Sequence, residues 1–363
     1  MAGLQGSRRT WGRWAWLWVG VVVAAMALGS AGAEPSGDDQ SLTLGLTGDV
    51  MIGRMVDRLV ERYGHAYPWG DLQAELAGTD VVLINLETTL THSRRAVPKT
   101  FNFRADPEHV AALVRAGVDV ANLANNHILD FGLPGMMATM ASLEAAGIRH
   151  VGAGRDRRAA CRPVTLTRDG LSLGIIGCTD NEPGWRSGPE RPGTCYVDVD
   201  EPEPLLRRIR SLAGRVDRVV LSIHWGPNMR QRPPERFVRF AHRTVDAGVD
   251  VLHGHSAHVV QGVEAYEGSV ILYDTGDFVD DYRVDPRLRN DLGFYYRVGL
   301  TPQGPQAVDL LPVAIQAGQV NRATGGDRDW ILERMQGLSA ELGTDLAVHG
   351  GRLRLELSGQ GTP

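Results

Sequence analysis

Apolar positions fall along this chain in two alternating rhythms. Short runs rich in Val, Ile and Leu lie at residues 43–46, 81–85, 118–123, 219–223 and 249–252. Near-continuous apolar runs bounded by turn residues predict strands covered on both faces. Between them, residues 55–62 predict a helix with Met55, Leu59 and Val60 on its inner face. Pro107 opens a second helix that ends near Ala116-Gly117, and a third spans 134–146, closed by Gly147. Residues 202–212 and 233–247 also open on proline, whose fixed φ suits a first helical turn. Two hairpins are predicted, 164–167 with 171–176 around Arg168-Asp169-Gly170, and 259–266 with 270–273 around Glu267-Gly268. Residues 294–300 and 307–313 read as antiparallel strands, 329–342 as a helix and 352–357 as a last short strand. Strand and helix in alternation give an α/β fold. The simplest division is one domain over 42–313 followed by a small helical annex, 314–363.

The residues that follow each run change the picture from architecture to chemistry. Gly48-Asp49 follows the first, Leu86-Glu87 the second and Asn125-Asn126-His127 the third. His224 ends the fourth, and Gly254-His255-Ser256-Ala257-His258 follows the fifth. Loops beyond the carboxyl ends of such strands converge on one crevice. Two carboxylates, an amide and several imidazoles there suit one or two divalent cations such as Mn, Fe or Zn.

Composition narrows the classes. The chain has 363 residues, 43% hydrophobic and 22% charged, so its body is globular. Net charge is −5, with both signs mixed and no basic stripe, which excludes nucleic acid as a partner. Arg8, Arg9 and Arg13 precede an uncharged run, 14–33, that ends in Ala31-Gly32-Ala33. Positive start, apolar middle and small-residue site describe an export signal. The Ser7-Arg8-Arg9 step also fits twin-arginine export. The run is long enough to anchor in a membrane core of ~30 Å, so residues 1–33 are a cleaved signal or an anchor, and 34–41 a polar tether. Cys161, Cys178 and Cys195 allow one bridge and one free thiol.

Each candidate has a bland reading beside the functional one. Paired histidines such as His255 and His258 are often structural, but His253 and His224 make a cluster. Gly-Asp at Asp49 could be a turn or a cap, yet several residues separate it from the next helix. Glu87 is placed alike and could bridge two cations. Asn125-Asn126 could be a plain turn. Otherwise Asn126 offers a neutral oxygen, His127 serves as general acid and Asp130 orients it. Arg54, Lys99 and Arg104 are candidate clamps for a carboxylate or phosphate, or ordinary surface charges. Trp225 walls the pocket or packs in the core.

In this order, Asp49, Glu87, Asn125-Asn126-His127, His224 and Gly254–His258 resemble the calcineurin-like metallophosphoesterase series of Gly-Asp, bridging acid, Gly-Asn-His, His and Gly-His-x-His. More closely, the chain resembles the capsule-synthesis CapA (poly-γ-glutamate synthesis) family. The matching pieces are residues 46–51, 85–88, Lys99 with 101–104, 124–132, 224–226, 254–258 and 273–278. The resemblance implies a four-layer αββα sandwich, an extracytoplasmic location and a role in making or releasing poly-γ-glutamate at the envelope. It assigns Asp49, Glu87 and His258 to one metal, and Glu87, Asn126, His224 and His255 to the other. His127 becomes the proton donor to the leaving group, Asn125 a substrate contact, and a metal-bound hydroxide the nucleophile. Met51 stands where ordinary metallophosphoesterases carry a histidine, and Thr275-Gly276-Asp277-Phe278 where the family pattern has Gly-Asn-Phe. A metal-dependent hydrolase acting on an anionic envelope polymer is the expected function. The alternatives are a polymer-binding accessory of membrane synthase subunits, or a metal-dependent phosphodiesterase.

Overall fold

The computed structural model describes residues 40–357. The expected export signal or anchor at 1–33 lies outside them. Strands are β1 (Leu42–Val50), β2 (Val81–Leu86), β3 (Val120–Asn122), β4 (Arg149–Val151), β5 (Val164–Arg168), β6 (Leu171–Thr179), β7 (Arg218–His224) and β8 (Val251–His255). They continue with β9 (Val263–Tyr266), β10 (Ser269–Leu272), β11 (Asp277–Val279), β12 (Leu292–Thr301), β13 (Gly304–Gln316), β14 (Gln319–Arg322), β15 (Ala347–His349) and β16 (Arg352–Glu356). The principal helices are α1 (Arg54–Tyr63), α2 (Val110–Arg115), α3 (Gly132–Ala145), α4 (Glu203–Ala213), α5 (Glu235–Asp246) and α6 (Gly325–Ala340).

Two sheets form. A ten-stranded sheet runs β15-β16-β13-β12-β1-β2-β3-β4, with β11 also pairing β1 and β14 pairing β13. A six-stranded sheet runs β9-β10-β8-β7-β6-β5. Alternation along each strand divides the apolar side chains between two layers. Leu42, Leu44 and Leu46 of β1, Val81 and Leu83 of β2 and Val220 of β7 join one core between the sheets. Val82 and Ile84 turn to the other face, where Leu113 and Leu143 of the helices pack on them. Val219, Leu221 and Ile223 likewise meet Ile209 and Phe240 beyond the second sheet. Helix, sheet, sheet, helix is the expected αββα sandwich.

Differences from expectation are local. On α1 the buried residues are Val56 and Val60, while Met55 is 43% exposed, so the apolar stripe is turned by one residue. The stretch after residue 313 is not simply helical. Besides α6 it holds β14, β15 and β16, which extend the larger sheet, and α6 buries Ile331 and Met335 in the inter-sheet core. Both predicted hairpins form, turning through left-handed Asp169-Gly170 and Glu267-Gly268. Cys161 and Cys195 are disulfide-bonded and Cys178 is a buried free thiol. A bridge of this kind suits an oxidising compartment. No helix among the described residues is long and apolar enough to cross a membrane.

Candidate metal centre

The centre lies at the carboxyl ends of β1, β2, β7 and β8. Strand register places Asp49 between Asn85 of β2 and Asp277 of β11, and sets His224 beside His255. Gly48 makes the β11 pairing possible, because a Cβ there would lie 2.2 Å from the Gly276 carbonyl oxygen. Two groups of ligand atoms converge, each within 4.8 Å: Asp49 with His224 and His255, and Asp49 with Glu87 and His258. Asp49 is common to both groups, and the resemblance gave the bridging part to Glu87. Asp49 lies next to the end of β1, and Glu87 stands just beyond β2, 3.5 Å from His127 Nε2 and 4.0 Å from His224 Nε2.

The donors fit a divalent cation. Buried polar atoms nearly always have a hydrogen-bond partner. Here Asp49 Oδ2, both Glu87 oxygens, Asn126 Oδ1 and His224 Nε2 have none. Charge gives the same answer. Burial, and then the neighbouring Asp49 carboxylate, push the Glu87 carboxyl well above its ordinary range. Burial would also raise Asp49, but the imidazoles of His258, His224 and His255 outweigh it and hold Asp49 low. Burial opposes charge on His258 as well, yet Asp277 and Asp49 push its imidazole well above its usual value. Excess buried carboxylate of this kind is costly unless a cation pairs with it. Burial holds the remaining rings neutral, His224 at about 3 and His255 well below its ordinary value, the state in which imidazole ligates metal.

Beside these donors stands the His127 loop. A ladder of buried amides holds it: Asn125 Nδ2 donates to Leu86 O (2.8 Å) and Asn85 Oδ1 (3.2 Å), and Asn125 Oδ1 accepts from the His127 backbone N–H (3.0 Å). Asn122 Nδ2 also donates to Asn85 Oδ1 (3.2 Å), and Asn85 Nδ2 to Asp49 Oδ1 (2.7 Å). His127 Nδ1 lies 2.6 Å from Asp130 Oδ2, which also accepts from the Phe103 backbone N–H. Lys99, the only lysine of the chain, donates to Asp130 Oδ1 (3.0 Å) and to the Asn126 carbonyl. The Phe103 ring stacks on His127 at 3.9 Å. Asp130 thus points His127 Nε2 at Glu87 and the pocket.

The remaining candidates divide. Arg54 lies over the aromatic rings beside the two histidines, its guanidinium over Phe103 (5.4 Å), Phe101 (5.9 Å) and Tyr282 (5.8 Å), with Nε 3.2 Å from Asp281. Three others are engaged within the protein. Arg104 is engaged by Asp106 and the Thr91 carbonyl. Trp225 is buried, donates to Tyr273 O (2.9 Å) and stacks on Phe237. Asn125 spends its amide on the loop, as above. The sequence reading marked Asp277 as a departure from the family pattern but gave it no role; its Oδ1 lies 2.9 Å from His258 Nδ1. It missed Asp274, which accepts from Ala257 N and Gly276 N and so fixes the histidine loop. The two carboxylates follow the end of the fifth run, Leu252, by 22 and 25 residues, among Tyr273–Phe278; only their long-range pairing gives them meaning.

Comparison with known proteins gives the family. Residues 43–282 match the family described as bacterial capsule synthesis protein PGA_cap, and the chain belongs to that family. A probable polyglutamine synthesis accessory protein of Mycobacterium tuberculosis is 33% identical over 356 residues, covering 85% of this chain and 94% of that protein. The capsule biosynthesis protein CapA of Bacillus anthracis is 31% identical over 296 residues, covering 79% of this chain and 71% of its own length. Among solved structures, the NAD nucleotidase of Haemophilus influenzae aligns with 82% of this chain and 63% of its own, at 13% identity and a TM-score of 0.43.

Proposed function

We propose that this chain is an exported metal-dependent hydrolase that serves the synthesis or release of an anionic capsule-type polymer such as poly-γ-glutamate. The observations that carry this reading are the buried, unpartnered donor atoms on Asp49, Glu87, Asn126 and His224, and the two ligand groups that meet at Asp49. Membership of a capsule-synthesis family supports the polymer. One or two ions of Mn, Fe or Zn, when bound, would lower the pKa of water and polarise the bond to be cut. Asp49, Glu87, Asn126, His224, His255 and His258 would hold them. His127, whose Nδ1–H is accepted by Asp130, presents Nε2 as the atom through which a proton would pass to the leaving group. Arg54 offers its guanidinium to a carboxylate. Phe103 and Tyr282 keep water from the two histidines they cover.

Elemental analysis of the purified full chain beside His255→Ala tests the reading. One or two equivalents of Mn, Fe or Zn, lost in the variant, are expected, together with metal-dependent shortening of poly-γ-glutamate. A second reading, a polymer-binding accessory of a membrane synthase, is favoured by Met51 and by the accessory name of the mycobacterial relative. Polymer binding without metal uptake would establish it in place of the hydrolase.

A further inference from the structure

Behind the metal centre runs a line of buried polar groups that no part of the proposed chemistry uses. His253 Nε2 lies 2.8 Å from the Thr47 carbonyl oxygen. His253 Nδ1 lies 3.2 Å from Ser222 Oγ, and Ser222 Oγ lies 3.1 Å from His255 Nε2. All four residues are fully buried. The chain order makes this possible, since Ser222 of β7 is in register with His253 of β8, and both point to the side on which His224 and His255 stand.

The protons along this line have one consistent order. A carbonyl oxygen only accepts, so Nε2 of His253 carries the hydrogen. The polar neighbours of that ring are the Thr47 carbonyl and the hydroxyls of Ser222 and Thr275, with no carboxylate among them, so the buried imidazole is neutral. Its Nδ1 is then an acceptor, and the single Ser222 hydroxyl proton goes to it. Ser222 Oγ is left to accept from His255 Nε2–H. Asn122 Nδ2 is also 3.4 Å from His255 Nε2, but its two hydrogens have closer acceptors in Asn85 Oδ1 (3.2 Å) and Ala124 O (3.3 Å).

We propose that Ser222 and His253 are positioning residues that fix the tautomer of His255, placing its hydrogen on Nε2 and its lone pair on Nδ1, toward Asp49 and His224. The importance of that lone pair rests on the metal-centre reading; the tautomer itself does not. Nδ1 of His255 faces His224 Nδ1 at 3.0 Å and Asp49 Oδ1 at 3.6 Å, and these three residues form one ligand group. The Thr47 carbonyl, on the strand that supplies Asp49, thus dictates across the inter-sheet core which nitrogen of His255 is bare. An orienting partner on the far nitrogen is how ligating histidines are held.

Nitrogen-15 NMR of the full chain, labelled at histidine and treated with chelator, reads the tautomer without any variant. The His255 ring, assigned by its loss in His255→Gln, is expected to show a protonated Nε2 and a bare Nδ1. A protonated Nδ1 in the wild type overturns the proposal. In Ser222→Ala the His255 signals should shift toward the other tautomer, and in Ser222→Thr, which keeps the hydroxyl, they should return. Titration with Mn²⁺ alone should show affinity about 10–100-fold weaker in Ser222→Ala and near wild type in Ser222→Thr. Equal affinity and an unchanged tautomer in Ser222→Ala would remove both residues from this role. Failure of the wild type to bind Mn²⁺ would instead sink the metal reading, leaving the NMR result to decide the tautomer.

Discussion

Two loops each bring a histidine with a carboxylate at Nδ1 to this centre, and the two imidazoles respond in opposite ways. His127 lies 2.6 Å from Asp130, and His258 lies 2.9 Å from Asp277. Burial nevertheless lowers His127 to about 4, while His258 is pushed well above its ordinary value against the same penalty. The difference lies in what else holds the carboxylate. Asp130 is shared with Lys99 and the Phe103 backbone N–H, so its charge is already largely spent. Around His258, Asp49 and Glu87 add negative charge to that of Asp277, with no lysine or arginine among the causes of its shift. One loop is a neutral, rigid acid–base site; the other is the side of the pocket that lacks a cation. A carboxylate beside an imidazole therefore says little about its charge until the carboxylate's other partners are counted.

Removing Asp130 should break the comparison most severely. In Asp130→Ala, Lys99 Nζ, His127 Nδ1–H and the Phe103 N–H lose one buried acceptor together. Loss of one partner from a buried charged network costs about 3–5 kcal/mol, measurable as a lower urea midpoint. A loss below about 0.5 kcal/mol would mean that the loop stands on its amide ladder alone.

Acid titration separates the two histidines next. With His127 lowered from 6.5 to about 4, the unfolded chain binds the proton more readily than the folded one. Stability from this group is complete above about pH 6.5 and falls as pH drops toward 4, by roughly 3 kcal/mol in the chelator-treated chain. His258 carries the opposite sign: its contribution is full below pH 6.5 and is lost as pH rises through its elevated folded value. His127→Gln should flatten the acid limb of a stability–pH profile, and His258→Gln should flatten only the alkaline limb. Identical profiles for the two variants would contradict the account.

Asp277→Asn sharpens the other side. It keeps the shape and removes a charge, so His258 should fall back toward its ordinary pKa. Mn²⁺ affinity should weaken about 10–100-fold, as when an orienting partner is lost. Calorimetric titration checks this, and an unchanged affinity would show that Asp277 serves the fold only.

These contrasts also mark what a sequence can carry. The strand runs, the helix openings at Pro107 and Pro202 and the ends bearing Asp49, Glu87, His127, His224 and His255 were legible, because each is local in the chain. Asp277 was not, because its partnership depends on β11 returning beside β1 more than 200 residues later. Arg104 and Trp225 looked as functional as Arg54. Only packing shows that Asp106 and the aromatic core absorb them. Which acid is shared between the two ligand groups was likewise hidden, since strand order, not spacing, puts Asp49 at the centre.

The smallest effect should come from the aromatic lids, and it isolates burial from charge. Phe103 lies nearly parallel to His127, 3.9 Å between centroids, and Tyr282 stands edge-on to His258 at 5.0 Å. Burial is the largest influence on His127, so thinning its cover must raise its pKa while leaving the bond to Asp130 intact. Phe103→Leu keeps most of the apolar volume and loses the stacked face, which is worth about 1 kcal/mol. The His127 titration midpoint should move up by less than a unit, read from its ring resonances. The same exchange at Tyr282 should move His258 less, since opposing carboxylates hold that ring charged. If Phe103→Leu left the His127 midpoint in place, charge from Lys99 rather than burial would be what keeps this imidazole neutral.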